Sequence, residues 1–154
     1  MDILLAPDVY VNASVALGSP PEQVVQRVLG KHKGETGTSE WILGRVSHML
    51  SAIPEFKEDA VAKQLELIRG LVKVLDVGGA YGPGDWQSAL VATAKQAGAA
   101  RVITDHPDLL EAGSSDGIEF LSTEAWLVEV TTPPPAPGQW PRSLALRARS
   151  ALPR

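Results

Sequence analysis

Along this chain, short apolar runs alternate with longer stretches in which apolar residues recur every three or four positions. Residues 2–5 form the first run and read as a strand that ends at Ala6-Pro7-Asp8, with a helix expected soon after. Pro20-Pro21-Glu22 begins an amphipathic stretch in which Val24, Val25, Val28 and Leu29 share one helical face, and Gly30 and Gly34 mark its end. Ser39-Glu40 is a cap and first turn for a helix carrying Trp41, Ile42, Val46, Met49 and Leu50, which stops before Pro54. A further helix is expected over residues 58–69, and residues 71–75 read as a buried strand.

A glycine-rich loop follows, with Gly78, Gly79, Gly82 and Gly84, and it closes at Asp85. The spacing then predicts a helix over residues 86–97 with Gly98 as its C-terminal cap, a strand over 101–104, the turn Asp105-His106-Pro107-Asp108, and a strand over 118–121. Ser122-Thr123-Glu124 opens a last short helix, and Pro133, Pro134, Pro135 and Pro137 break regular structure beyond it. Strands that alternate with helices imply an α/β fold with a mainly parallel sheet covered on both faces.

In such a sheet the carboxyl ends of the strands form the ligand crevice. Asp8, Asp76, Asp105 and Glu124 each fall just past an apolar run, so together they are candidates for holding a divalent cation or acting on a phosphate. With 154 residues, 44% of them hydrophobic and 21% charged, the chain suits one domain with a sizeable core. The absence of cysteine removes disulfides, thiolate nucleophiles and cysteine zinc sites. An acidic start with a very short apolar run does not read as a signal peptide or a membrane span, so a cytoplasmic protein is expected.

Charge changes the picture in one respect. The net charge of −4 hides an uneven distribution, because every acid lies at or before Glu129 while Arg142, Arg147, Arg149 and Arg154 follow it. Removing those arginines from the 14 basic residues leaves 10 against 18 acids, a body of −8 with a basic tail. Such a body is a poor general surface for nucleic acid, whose phosphates are neutralised by Lys and Arg, so any nucleic-acid role has to rest on a local site.

The opening Leu4-Leu5-Ala6-Pro7-Asp8-Val9-Tyr10-Val11-Asn12-Ala13 resembles PIN domains, the fold of VapC-type toxins and related nucleases. So do Leu90-Val91-Ala92-Thr93-Ala94, the segment from Val102-Ile103-Thr104-Asp105-His106 to Pro107-Asp108-Leu109-Leu110, and Ile118-Glu119-Phe120-Leu121-Ser122-Thr123-Glu124. The resemblance covers residues 1–129 in order. It implies a three-layer α/β sandwich around a mainly parallel sheet of four or five strands which, in active members, cleaves RNA with Mg²⁺ or Mn²⁺ held by three or four acids. Clustered carboxylates suit that chemistry because they hold metal ions that activate water and stabilise charge on the phosphate.

Carried over position by position, the family pattern meets substitutions. The first-strand pattern Asp-Thr-Asn-Val aligns with Ala6-Pro7-Asp8-Val9, which puts alanine in the first catalytic place and Asp8 in the asparagine place. The glutamate place on the following helix holds Gly44 or Arg45, the acid place before the alanine-rich helix falls on Gln87 with Asp85 two residues earlier, and His106 takes the acid's place in Thr104-Asp105-His106. Two functional readings follow. In one, the set is degenerate and the fold survives as a weak or inactive nuclease that acts through protein association, with self-association to a dimer included. In the other, Asp8, Asp85, Asp105 and Asp108 form a displaced catalytic cluster, with Asp8, Asp85 and Asp105 as ligands for Mg²⁺ or Mn²⁺, in a toxin-like endoribonuclease that an antitoxin would restrain.

Plainer roles compete for the same residues. Asp8 and Asp85 are suited to capping the helices that start beside them, His106 to an exposed turn, Glu124 to the first turn of its helix, and Trp41 and Trp126 to the core. A remoter reading rests on Val74-Leu75-Asp76-Val77-Gly78-Gly79-Ala80-Tyr81-Gly82. This string looks like the first motif of methyltransferases that bind S-adenosylmethionine, with Asp105 as the ribose-binding acid. The segment 130–154 is expected to be a flexible proline-rich tail whose arginines dock on an acidic surface of its own copy, a neighbouring copy or another protein.

Overall fold

A computed structural model describes residues 3–31, 36–76, 81 and 84–131 of the chain. In order these form β1 (Ile3–Leu5), α1 (Pro7–Val15), α2 (Pro20–Lys31), β2 (Gly37–Ser39), α3 (Glu40–Ser51), α4 (Glu58–Leu71), β3 (Lys73–Leu75), α5 (Trp86–Ala97), β4 (Arg101–Ile103), α6 (Pro107–Ala112), β5 (Ser114–Ser115), β6 (Ile118–Leu121) and α7 (Thr123–Thr131). The tail beyond residue 131 and most of the glycine-rich segment lie outside the described residues.

The expected α/β architecture is present. A four-stranded sheet runs β1-β4-β6-β5, with β4 parallel to both β1 and β6, so that Leu4, Val102 and Phe120 lie side by side across it. β2 and β3 form a separate parallel pair. That pair lies beside β1, where the Thr36 hydroxyl donates to the Ile3 carbonyl at 3.4 Å. Helix α5 packs across β1, β2, β3, β4 and β6, while α1 packs on α2 and α3, α2 on α7, and α3 on α4.

The near-continuous apolar runs of β1 and β4 fit strands buried on both faces: Leu4, Leu5, Val102 and Ile103 are all inaccessible to solvent. Around them pack Val9, Val24, Val28, Ile42, Val46, Leu50, Leu90 and Trp126. The 3.6-residue spacing on α2 and α3 turns Val24, Val28, Ile42, Val46 and Leu50 inward. Gly98 ends α5 in the left-handed region at φ 73°, as expected of a C-terminal cap.

Four differences from the sequence reading have identifiable causes. Pro7 starts α1 directly, because its fixed φ suits the first helical position, and this places Asp8 inside the first helical turn. Residues 71–75 divide between the end of α4 and β3, which pairs only with β2 among the described residues and is only partly buried. Gly37-Thr38-Ser39 is a buried strand with no apolar side chain, since its neighbours supply the burial. Finally, β5 pairs antiparallel with β6 through the two-residue turn Asp116-Gly117, both at positive φ.

Candidate functional site

The site grows from the end of β4. Once that strand stops at Ile103, Thr104 remains buried and its amide donates to the Leu121 carbonyl, which holds residues 104–106 at the mouth between β1 and β6. The first turn of α1 delivers Asp8 to the same point. Asp8 is 7% exposed; its Oδ1 accepts from the Thr104 hydroxyl at 2.8 Å and its Oδ2 from the Asp105 amide at 2.8 Å. Burial raises the Asp8 carboxyl above its ordinary value of 3.8, and the nearby charge of Asp105 adds to the rise, against the hydrogen bonds from Asp105 and Thr104 that favour the ionised form.

The Asp105 carboxylate turns the other way, toward α7. Its Oδ1 accepts from the Thr123 amide at 3.0 Å and its Oδ2 from the Thr123 hydroxyl at 2.7 Å, so it caps the first turn of that helix from a distant strand end. The four carboxylate oxygens of Asp8 and Asp105 therefore each hold a donor from the protein itself. Together the two residues tie α1, β4 and α7 into one joint.

The structure brings Asp8 and Asp105 together. Asp85 stands at the exposed N-terminal end of α5 without bonding that end with its side chain, and Asp108 is exposed in the first turn of α6. Asp76 is exposed after β3, and Glu124 is exposed in the first turn of α7, as expected. Among the described residues, no group of three or more His, Asp or Glu side chains is placed to hold a metal ion.

Asp85 does not cap α5 with its side chain, whereas Asp8 bonds its own backbone amide at the start of α1 in addition to Thr104 and Asp105. His106 departs from an exposed turn. Its Nδ1 accepts from the Asp108 amide at 3.2 Å and caps α6, and its ring lies half-buried 5.5 Å from Trp86 at an angle of 40°.

Trp86 is the centre of a group that sequence reasoning missed. The Arg45 guanidinium sits 5.3 Å from its ring, and Trp41 meets it edge-on at 5.7 Å and 89°. Trp41 is thus half-buried against Trp86 rather than enclosed in the core, while Trp126 is a core residue. Arg45 and His106 stand at two positions where the family pattern was aligned with acids, and both contact Trp86, the residue before Gln87. Ser39 and Thr93 brace the group, for Ser39 caps α3 by accepting from the Ile42 amide and lies 3.1 Å from the Thr93 hydroxyl of α5.

The glycine-rich reading fares differently. Residues 77–80, 82 and 83 lie outside the described residues, but β3, which leads into them, pairs with β2, whereas Asp105 follows β4, which pairs with β1 and β6. A cofactor held between neighbouring strand ends needs those two strands side by side. The Asp105 carboxylate is in any case engaged by Thr123.

No family model and no curated protein sequence matches the chain. Solved structures do. The chain superposes on VapBC2 from Rickettsia felis bound to a DNA fragment from their promoter, with a TM-score of 0.55 and 12% identity over 79% of this chain and 98% of that one. It also superposes on VapC20 from Mycobacterium tuberculosis, a sarcin–ricin loop cleaving toxin, with a TM-score of 0.54 and 15% identity over 75% of this chain and 98% of that one. The fold is that of the VapC-like PIN domains. No helix among the described residues is long and apolar enough to cross a membrane.

Proposed function

We propose that this chain is a PIN-fold protein whose strand-end acids serve the fold instead of a metal ion, weak or inactive as a nuclease and acting through association with a protein partner. One observation carries the reading: each carboxylate oxygen of Asp8 and Asp105 already accepts a hydrogen bond from the protein. These bonds aim the Asp8 carboxylate at Thr104 and the Asp105 carboxylate at Thr123, and among the described residues no third His, Asp or Glu joins them in a group placed to hold a metal ion. The four family acid places hold Ala6, Gly44 or Arg45, Gln87 and His106, none of them a carboxylate, whereas Mg²⁺ in particular takes oxygen ligands. Partner association is supported by the Rickettsia felis neighbour, which is a VapBC assembly, and self-association through the same fold falls within the reading.

The alternative is a Mg²⁺- or Mn²⁺-dependent endoribonuclease that uses Asp8, Asp85, Asp105 and Asp108. The adjacency of Asp8 and Asp105 and the likeness to a sarcin–ricin loop cleaving toxin favour it. Incubation of the full chain with mixed RNA and Mn²⁺ separates the two. Product formation no faster than in chelator is the expected outcome, and metal-dependent cleavage lost on Asp105→Asn would establish the nuclease.

A further inference from the structure

The side chains around Trp86 make none of the bonds that hold the Asp8 and Asp105 carboxylates, and their chemistry is the reverse of a metal site. Arg45 on α3 lies over the indole, and its Nε is buried without a hydrogen-bond partner. The ion pairs among the described residues, Arg69–Glu40, Lys95–Asp116 and Arg101–Glu129, leave Arg45 out. A guanidinium held against an aromatic face, with its Nε unmatched and no carboxylate paired to it in these ion pairs, suits an anion whose oxygens can take its fork. His106 adds a second donor. Its Nδ1 accepts the Asp108 amide, so the neutral ring carries its proton on Nε2, the atom that the cap leaves available.

The flat groups matter as much as the charge. Trp41, Trp86 and His106 are each half-buried, which leaves part of three ring systems accessible beside the cation. Stacking on such rings holds a nucleobase without reading its sequence. A phosphate joined to a flat aromatic ring is the ligand class that uses both features together.

We propose that Arg45, Trp86, His106 and Trp41 form a metal-independent binding site for a nucleoside monophosphate, with its phosphate on Arg45 and His106 and its base against the indoles. The guanidinium would supply the positive charge that a divalent cation supplies in an acid-lined site, so the inference rests on the reading that Asp8 and Asp105 do not hold a metal.

Calorimetric titration of the full chain with adenosine monophosphate, once in chelator and once with Mn²⁺, tests the site. Saturable binding in chelator is expected, weakened about tenfold or more by Arg45→Ala and also by Arg45→Lys, which keeps the charge but loses the fork. Two variants guard against misfolding, and circular dichroism melts confirm that each is folded. Inorganic phosphate alone is expected to bind more weakly than the nucleotide; equal affinity would overturn the stacking role of the indoles. No binding in either condition would overturn this site while leaving the structural role of the acids intact. Binding that appears only with Mn²⁺ would instead overturn the reading on which the site rests. A single-stranded RNA that binds while the mononucleotide does not would also count against the proposal.

Discussion

Replacing Trp126 with alanine is expected to destabilise the fold by about 3–5 kcal/mol, the range for removing a large aromatic side chain from a packed core. Trp126 is 3% exposed and belongs to the same buried cluster as Val24 and Val28 of α2, the helix on which α7 packs. The consequence reaches the site, because α7 begins at Thr123, whose amide and hydroxyl hold Asp105. Chemical denaturation should show a lower midpoint with an unchanged slope. A loss below about 1 kcal/mol would mean that α7 is not part of the cooperative core.

The second large effect distinguishes two substitutions at one residue. Asp8→Ala is expected to cost about 1–3 kcal/mol, because the Asp105 amide loses its acceptor while the Thr104 hydroxyl is free to turn elsewhere. Asp8→Asn should be nearly neutral or stabilising at neutral pH. The amide oxygen can accept from the Asp105 N–H, and its NH₂ can donate to the Thr104 oxygen, while the buried charge and its repulsion from Asp105 disappear.

The sign of the pH dependence follows from the raised Asp8 carboxyl. Folded Asp8 holds its proton to higher pH than unfolded Asp8, whose ordinary value is 3.8, so between those two values the native state binds more protons. Its contribution to stability is complete below that window and is lost as the pH rises through it. Measured from acid to neutral pH, Asp8→Asn should therefore gain on the wild type, and a difference that shrinks over that range would contradict the assignment.

How much of this was legible in the sequence depends on what each element is made of. β1, β4 and β6 were readable because their own residues are apolar. β2 was not, because Gly37-Thr38-Ser39 carries no hydrophobic side chain and is buried only by its neighbours. The short β5 left a usable mark, since Asp-Gly at 116–117 is a strong two-residue hairpin signal. At the site, spacing placed Asp8 and Asp105 just past the ends of strands, which is where the structure has them. It gave no direction for their side chains, and their bonds span separations of 96, 97 and 18 positions that no local pattern encodes. The stack of Arg45, Trp86 and His106 was hidden for a related reason: its members come from α3, α5 and the exit of β4, and only the fold makes them neighbours.

The central claim is that Asp8 and Asp105 are joints of the fold and not ligands. Calorimetric titration of the full chain with Mn²⁺ tests it most directly. The account predicts no saturable heat beyond dilution, and the same trace for the wild type and Asp105→Asn. A saturable, stoichiometric binding isotherm that vanishes in Asp105→Asn would contradict it.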